Sequence, residues 1–349
     1  MPMDATRTVP DDADILTILA ERIDVQRRGV GIVVGVISEN GRRVIAHGEM
    51  CKGDGRLPDG DTVFEICSIT KVFTGLLLAD MVERGEIALD DPVAKYLPAG
   101  VSMPERGGKP ITFADLATHT SGLPWMADNW TPRDPANPFA DYTVDQLHQF
   151  LSGHTLARDV GEHFQYSNLG FGVLGHALAL RAGVEFETLV RQRITGPLGM
   201  TSTGLPAPDL AGRLAKGHDH AGQPAANWDM PTLAGSGALW STANDLLTFC
   251  AAELGYVETP LKAAMSAQLQ TRRPRDAGSE IALGWSISMK QSREIVWKNG
   301  RTPGYCCFMG LDLSAGAGVV VLANSSAPPS FDDMGFHLLT GAPLTPAIA

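Results

Sequence analysis

The sequence predicts an α+β fold: an antiparallel β-sheet flanked by helices, with an inserted all-α lobe. Three observations predict it. A hairpin of β-branched runs lies near the N-terminus, strand-like runs crowd the C-terminal part, and the residues between are mostly helical and loop. The two strand-rich ends are expected to join in one sheet. This gives an α+β lobe of about residues 10–66 and 200–345 and a mainly helical lobe of about 67–199, with a ligand cleft between them. Residues 1–349 are read as one domain built from these two lobes.

The elements follow in order. "DILTILAERI" is a short amphipathic helix, Asp14 to Ile23. "GVGIVVGVISENGRRVIAHGEM" reads as a hairpin, because Glu39-Asn40-Gly41 is a turn signal between two β-branched runs. In "FEICSITKVFTGLLLADMVERG" the apolar residues Val72, Phe73, Leu76, Leu77, Met81 and Val82 recur at helical spacing. Capping-box pairs open helices at Thr112–Asp115, Thr143–Gln146 and Thr242–Asp245. Between the first two boxes, Pro124 to Tyr142 is rich in Pro, Asp, Asn and Trp and reads as a long functional loop. "NLGFGVLGHALALRAG" and "FETLVRQRI" are amphipathic helices. "IALGWSISM", "EIVWKNG", "GYCCFMGLDL" and "GVVVLAN" are the four C-terminal strands.

Composition narrows the function. Hydrophobic residues make up 44 % and charged residues 19 %, enough for a core and too few charges for disorder. The net charge of −11 repels phosphate backbones, so nucleic acid is not an expected partner. No apolar run reaches membrane-spanning length, so no membrane partner is expected either. No secretory leader is visible and five cysteines show no zinc-type spacing, so the expectation is a cytoplasmic protein with reduced thiols. Cys67, beside Ser68, is read as a small buried residue on the turn before the helix, and the vicinal Cys306 and Cys307 as packing residues.

Three short stretches carry chemistry. Ser68 and Lys71 form S-x-x-K at a turn-to-helix junction, one face of one helical turn. Free N–H groups and the helix dipole there would stabilise an oxyanion beside Ser68 Oγ. A desolvated Lys71 would have a lowered pKa and could accept or relay the serine proton. Tyr166 and Asn168, in "QYSNLGF", precede a helix. Beside ammonium groups the Tyr166 phenol is expected to ionise more easily and act as a base, while Asn168 offers an amide to a site group or substrate. In "EIVWKNGRTPGYCCF", Lys298 supplies positive charge, Gly300 allows close backbone approach, and the Arg301 N–H is a candidate oxyanion donor.

The order S-x-x-K, Y-x-N, K-x-G resembles the serine penicillin-recognising superfamily of class C β-lactamases, D-alanyl-D-alanine peptidases and family VIII carboxylesterases. The resemblance runs from about Gly31 to Asn324, and "LATHTSGLP", "GPLGMTST" and "GSGALWSTANDLLTF" look like its connecting signatures. It implies a β-lactamase/DD-peptidase-like fold, with Ser68 as nucleophile, Lys71 as activating amine and Tyr166 as base or proton shuttle. It also implies an oxyanion hole from the N–H groups of Ser68 and Arg301, and leaves open whether Lys71 or Tyr166 is the general base. No metal or cofactor is implied.

Two departures point within the superfamily. Asn299 replaces the usual threonine of the third motif, and "GLPWM" puts Trp125 and Met126 where class C enzymes commonly carry a glutamine. The expectation is a family VIII-type carboxylesterase acting on small uncharged esters, with weak β-lactam hydrolysis. The rivals are a β-lactamase or D-alanyl-D-alanine peptidase, an acyltransferase and a non-catalytic scaffold. His218 and His220 are read as a solvated loop rather than a zinc site. His119 is read as structural, because the chain contains no G-x-S-x-G elbow.

Overall fold

The computed structural model describes residues 9–326 and 330–346. The described residues form twelve strands: β1 (Gly31–Ser38), β2 (Gly41–Gly48), β3 (Val63–Glu65), β4 (Glu105–Arg106), β5 (Lys109–Pro110), β6 (Trp240–Thr242), β7 (Arg273–Asp276), β8 (Ser279–Ile281), β9 (Ser286–Lys290), β10 (Arg293–Arg301), β11 (Cys306–Asp312) and β12 (Ala317–Ala323). Eight of them form one sheet in the order β2-β1-β12-β11-β10-β9-β8-β7. Its pairs are antiparallel, and β1 joins β12 through Ile32↔Ala323 to Ile37↔Gly318. The two strand-rich parts of the chain meet in this sheet, where β1 and β12 are its second and third strands, as the texture of the sequence predicts.

The apolar runs of β1 and β12 are continuous because both faces are covered. Ile32, Val34, Val36, Val319 and Val321 pack with Ile15 and Leu19 of helix Asp12–Ala20 and with Met334, Leu338 and Leu339 of helix Asp332–Thr340. Val33, Ile37, Val320 and Leu322 face the other way, into the main core with Leu246, Leu247 and Phe249 of helix Ala243–Glu253. Period-2 alternation assigns the two sets. The main core continues through the buried helix Thr70–Glu83 and helix Asn168–Ala182. No single helix among the described residues is long and apolar enough to cross a membrane.

Two local expectations are corrected. "IALGWSISM" is not one strand. β8 ends at Ile281, Ala282 N donates to Trp285 O at 2.8 Å, and β9 begins at Ser286. The turn exists because Gly284 takes φ +86° and lies against the main chain of helix Thr70–Glu83: a Cβ there would stand 2.3 Å from Lys71 O. Gln268 Nε2 ties the same turn to that helix through Val72 O and Leu283 O. The Thr242–Asp245 box is half a box. Thr242 accepts from Asp245 N, but the Asp245 carboxylate accepts from Ser202 N and Thr203 Oγ1 instead of returning to the cap. The boxes at Thr112 and Thr143 are complete.

Gly284→Ala introduces a left-handed alanine and a clash with the Lys71 carbonyl. It should cost about 2–4 kcal/mol, measured as a shift in the denaturant midpoint with the slope unchanged.

Candidate active site

The Ser68 turn is built by backbone. β3 ends at Glu65, Cys67 adopts φ +50°, and a short 3-10 turn over Cys67–Ile69 leads into helix Thr70–Glu83. A positive φ at a non-glycine residue is uncommon; here it directs the chain sharply into the helix. Cys67 is buried on that turn. Against it runs the end of β10: a Cβ on Gly300 would stand 2.7 Å from Ser68 N and 2.7 Å from Cys67 Cβ. Only glycine lets the strand approach the Ser68 N–H this closely.

Pairing directs the next N–H. Thr302 N donates to Tyr305 O at 3.0 Å, so Arg301 and Cys306 form the adjacent non-hydrogen-bonded pair. The Arg301 N–H therefore points away from β11. Side chains alternate too: Lys298 is buried, whereas Asn299 Nδ2 donates to Asp332 Oδ2 at 2.7 Å and Arg301 Nη2 donates to Ser326 O. Arg301 contributes to the Ser68 side through its backbone; its guanidinium is tied to Ser326.

Four side chains converge. Ser68 Oγ lies 2.7 Å from Tyr166 OH and 3.1 Å from Lys71 Nζ. Lys71 is 0 % exposed, and its Nζ also donates to Asn168 Oδ1 at 2.8 Å and to Ser236 O. Asn168 opens helix Asn168–Ala182, capped by Ser167 Oγ, which accepts from Gly170 N and donates to Pro124 O. The Lys298 ammonium lies 5.0 Å from the centre of the Tyr166 ring, as does the Lys71 ammonium.

Burial dominates the electrostatics. It pushes Lys71 well below the ordinary lysine range, and the neighbouring Lys298 adds to the shift. Lys298, 3 % exposed and close to Arg275, is lowered to about 7 by desolvation first and then by that guanidinium. Tyr166 goes the other way from the expectation. Desolvation pushes it up to about 12, outweighing the hydrogen bond with Ser68 and the charge of Arg275. Removing a phenolate from water costs more than these neighbours return.

The group opens into a cavity of about 380 Å³ lined by Ser68, Tyr166, Asn168, Lys298, Gly300 and Arg301, with Trp125, Trp228, His119 and Arg275 at its walls. Trp125 is 46 % exposed at the cavity, and its carbonyl accepts from Asn168 N and Leu169 N. Met126 does not line the cavity. At 7 % exposed it packs in the main core, because the loop's next side chain turns inward.

Several participants were missed from sequence. Arg275 and Ser286 belong to no local motif, and Ser236 sits in the connecting signature "GSGALWSTANDLLTF" without an assigned role. Glu65 is buried and accepts from Asn227 Nδ2, Trp228 N and Thr302 Oγ1, so it clasps the cavity wall to the hairpin end of β10. His119 is structural: its Nδ1 accepts from Ser167 N at 3.1 Å and its ring lies 4.5 Å from that of Tyr166. His218 is buried rather than solvated, with Nδ1 3.2 Å from Asn324 O and Lys52 N donating to its Nε2 at 3.4 Å. His220 is exposed.

Comparisons with known proteins place the chain in a family. The family described as Beta-lactamase matches residues 16–341. The chain belongs to the beta-lactamase family. It is 31 % identical over 346 residues to the D-alanyl-D-alanine-carboxypeptidase/endopeptidase AmpH of Escherichia coli K12, covering 94 % of this chain and 88 % of that one. It is 31 % identical over 224 residues to esterase EstB of Burkholderia gladioli, covering 59 % of this chain and 56 % of that one. Among solved structures it resembles a beta-lactamase/D-alanine carboxypeptidase from Yersinia pestis, with a TM-score of 0.80, 27 % identity, and coverage of 94 % and 96 %. As a beta-lactamase-family protein the chain is a serine hydrolase, in a family of β-lactamases, peptidases and esterases.

Glu65→Ala should lower stability by about 2–3 kcal/mol, since it leaves three donors unpaired in a buried wall. Thermal unfolding measures the loss.

Proposed function

We propose that this beta-lactamase-family chain cleaves small carboxylic esters through an acyl-enzyme on Ser68. The observation that carries the reading is the triple engagement of Lys71. A neutral amine has two N–H bonds and one lone pair. Asn168 Oδ1 and the Ser236 carbonyl take the two N–H bonds, which turns the lone pair toward the Ser68 hydroxyl. Lys71, pushed below its ordinary range, is then the general base and the protonated Tyr166 is the proton donor.

In acylation Lys71 takes the Ser68 proton as Oγ attacks the ester carbonyl. The carbonyl oxygen becomes an oxyanion between the N–H groups of Ser68 and Arg301. As the ester C–O bond breaks, Tyr166 gives its proton to the departing alkoxide and is reprotonated from the Lys71 ammonium. A water then attacks the acyl carbon. Its proton passes to the Tyr166–Lys71 pair, and Ser68 Oγ leaves reprotonated. Acid and base are restored, and no cofactor takes part.

Ester preference is supported by Trp125 at the cavity, by the Asn299 amide being engaged with Asp332, and by the likeness to EstB. A second reading, a β-lactamase or D-alanyl-D-alanine peptidase, is favoured by the longer likeness to AmpH and by the buried Lys298 ammonium. Comparing kcat/KM for a short p-nitrophenyl ester and a chromogenic cephalosporin, with Ser68→Ala as blank, decides between them. Ester turnover about 100-fold or more above lactam turnover supports the first reading; equal or faster lactam turnover overturns it.

Replacing Lys71 by Met should lower kcat/KM on the ester by about 10²–10⁴. The pH profile should have only an acid limb. Lowering the pH protonates Lys71 and removes the base, while Tyr166, pushed up to about 12, keeps its proton. kcat/KM on a neutral ester should therefore rise with pH and hold level to about pH 10. A fall at mildly alkaline pH would contradict the assignment of Tyr166 as donor.

A further inference from the structure

The contact that makes His119 structural uses only one of its two nitrogens. Nδ1 accepts from Ser167 N at 3.1 Å. A ring nitrogen that accepts carries no proton, so in the neutral imidazole the proton sits on Nε2. Burial holds His119 well below the ordinary histidine range, and the charges of Lys298, Lys71 and Arg275 add to the shift, so the ring is neutral. Nε2 is therefore an N–H donor. It is buried and has no hydrogen-bond partner among the described residues. A donor left unmet inside a protein costs free energy and calls for an explanation.

Two further observations say where this donor works. His119 is 1 % exposed and lines the cavity beside Ser68. Its ring lies 4.5 Å from that of Tyr166, 4.8 Å from Phe171 and 5.5 Å from Phe164, centre to centre. With Nδ1 taken by Ser167 and three aromatic rings packed around the imidazole, the cavity is where Nε2 can meet a polar atom. The backbone is also strained: His119 adopts φ +58°, in the left-handed region, which a buried non-glycine residue holds only where its surroundings impose it. They do so through His119 O, which accepts from Gln165 N at 2.7 Å and ties the ring to the segment that carries Tyr166. Among the described residues the cavity lining has no aspartate or glutamate to accept from Nε2. The acceptor has to be an oxygen that enters the cavity, and the chemistry requires one beside Tyr166: the water that attacks the acyl-enzyme.

We propose that the Nε2–H of His119 holds the hydrolytic water beside Tyr166 during deacylation. This rests on the acyl-enzyme reading above and adds a group to its second step. The water accepts from Nε2–H with one lone pair and attacks the acyl carbon with the other. Its proton passes to the Tyr166–Lys71 pair, the bond from the acyl carbon to Oγ breaks, and Ser68 leaves reprotonated. His119 keeps its own proton throughout. Acylation uses no water, so that step does not need this donor.

The test reads the two steps separately on p-nitrophenyl butyrate. kcat/KM reports acylation, and the decay of the Ser68 acyl-enzyme in a single turnover, followed by quenched-flow mass spectrometry, reports deacylation. Two substitutions separate the two nitrogens. In His119→Asn the amide oxygen can accept from Ser167 N in place of Nδ1, asparagine tolerates the left-handed backbone, and the Nε2 donor is gone. Decay of the acyl-enzyme should slow by about tenfold or more while kcat/KM stays within about twofold of the wild type. In His119→Gln the amide N–H can stand in for Nε2–H while the acceptor for Ser167 is lost. Decay should recover by about threefold or more over His119→Asn, although the thermal midpoint falls. Unchanged decay in His119→Asn overturns the proposal, as does a loss in kcat/KM equal to the loss in decay. The wild type gives an independent reading that needs no variant to fold. The ¹⁵N chemical shifts of His119 should report the neutral Nε2–H tautomer at about pH 7; the Nδ1–H tautomer or an imidazolium overturns the proposal. Failure of all ester hydrolysis overturns the ester reading, and the same comparison on a chromogenic cephalosporin, whose acyl-enzyme needs the same water, then decides His119. No turnover of either substrate overturns both.

Discussion

An amine without solvent is what the rest of this structure is arranged around. Lys71 is fully buried, and because a buried ammonium is expensive the neutral amine is favoured. Three oxygens surround its nitrogen, from three separate parts of the chain: the Ser68 turn, the start of helix Asn168–Ala182 and the carbonyl of Ser236. Each fixes an element. Thr74 Oγ1, one helical turn after Thr70, donates to Gly235 O and holds the same segment against the helix a second time. Gly235 and Gly175 pack backbone to backbone, with no room for a side chain on either. The desolvation that lowers the amine's basicity and the packing that stabilises the helix are one arrangement.

The sheet supplies the other half. β10 reaches the Ser68 turn only because Gly300 lacks a side chain, and Glu65 and Tyr305 lock that same hairpin end to β3 and to Ala215. The donors of Ser68 and Arg301 are thus set by pairing register and by one close approach rather than by flexible side chains. Rigidity of this kind places dipoles before a charge develops.

Much of this was legible because it is local. The N-terminal hairpin has its turn within the signal Glu39-Asn40-Gly41, at Glu39 and Asn40, the Ser68 helix has its period, and Thr112 and Thr143 carry their partners three residues on. What was not legible is non-local or depends on a balance of terms. Arg275 lies in the basic run "RRPRD", outside the three motifs; that this arginine turns into the cavity depends on Ser286, Phe164 and Trp297. Ser236 acts through its carbonyl, which every residue has. Gly284 was read as part of the single strand "IALGWSISM", and its left-handed turn makes sense only beside the Lys71 carbonyl. The Tyr166 phenol was expected to ionise readily from its cationic neighbours alone; the desolvation that wins is a property of the assembled site. Met126 and Trp125 are adjacent in sequence, and the loop sends one to the core and the other to the cavity.

The sheet order has a consequence for how the chain is made. β1 is the second strand of its sheet, and its neighbours are β2 and β12. The hairpin emerges early, yet about 280 residues must be added before β12 can cover the other edge of β1. At ribosomal speeds of 5–20 residues per second, that is a wait of roughly 15–55 s. During it, the backbone edge of β1 that pairs with β12 stays open, and Val33 and Ile37 on its other face await Leu246, Leu247 and Phe249, which are not yet synthesised. Long-range closure of this kind makes folding slow by topology. The nascent chain is therefore exposed to misassembly at this edge for most of its synthesis, before Ser68 and Gly300 can come together.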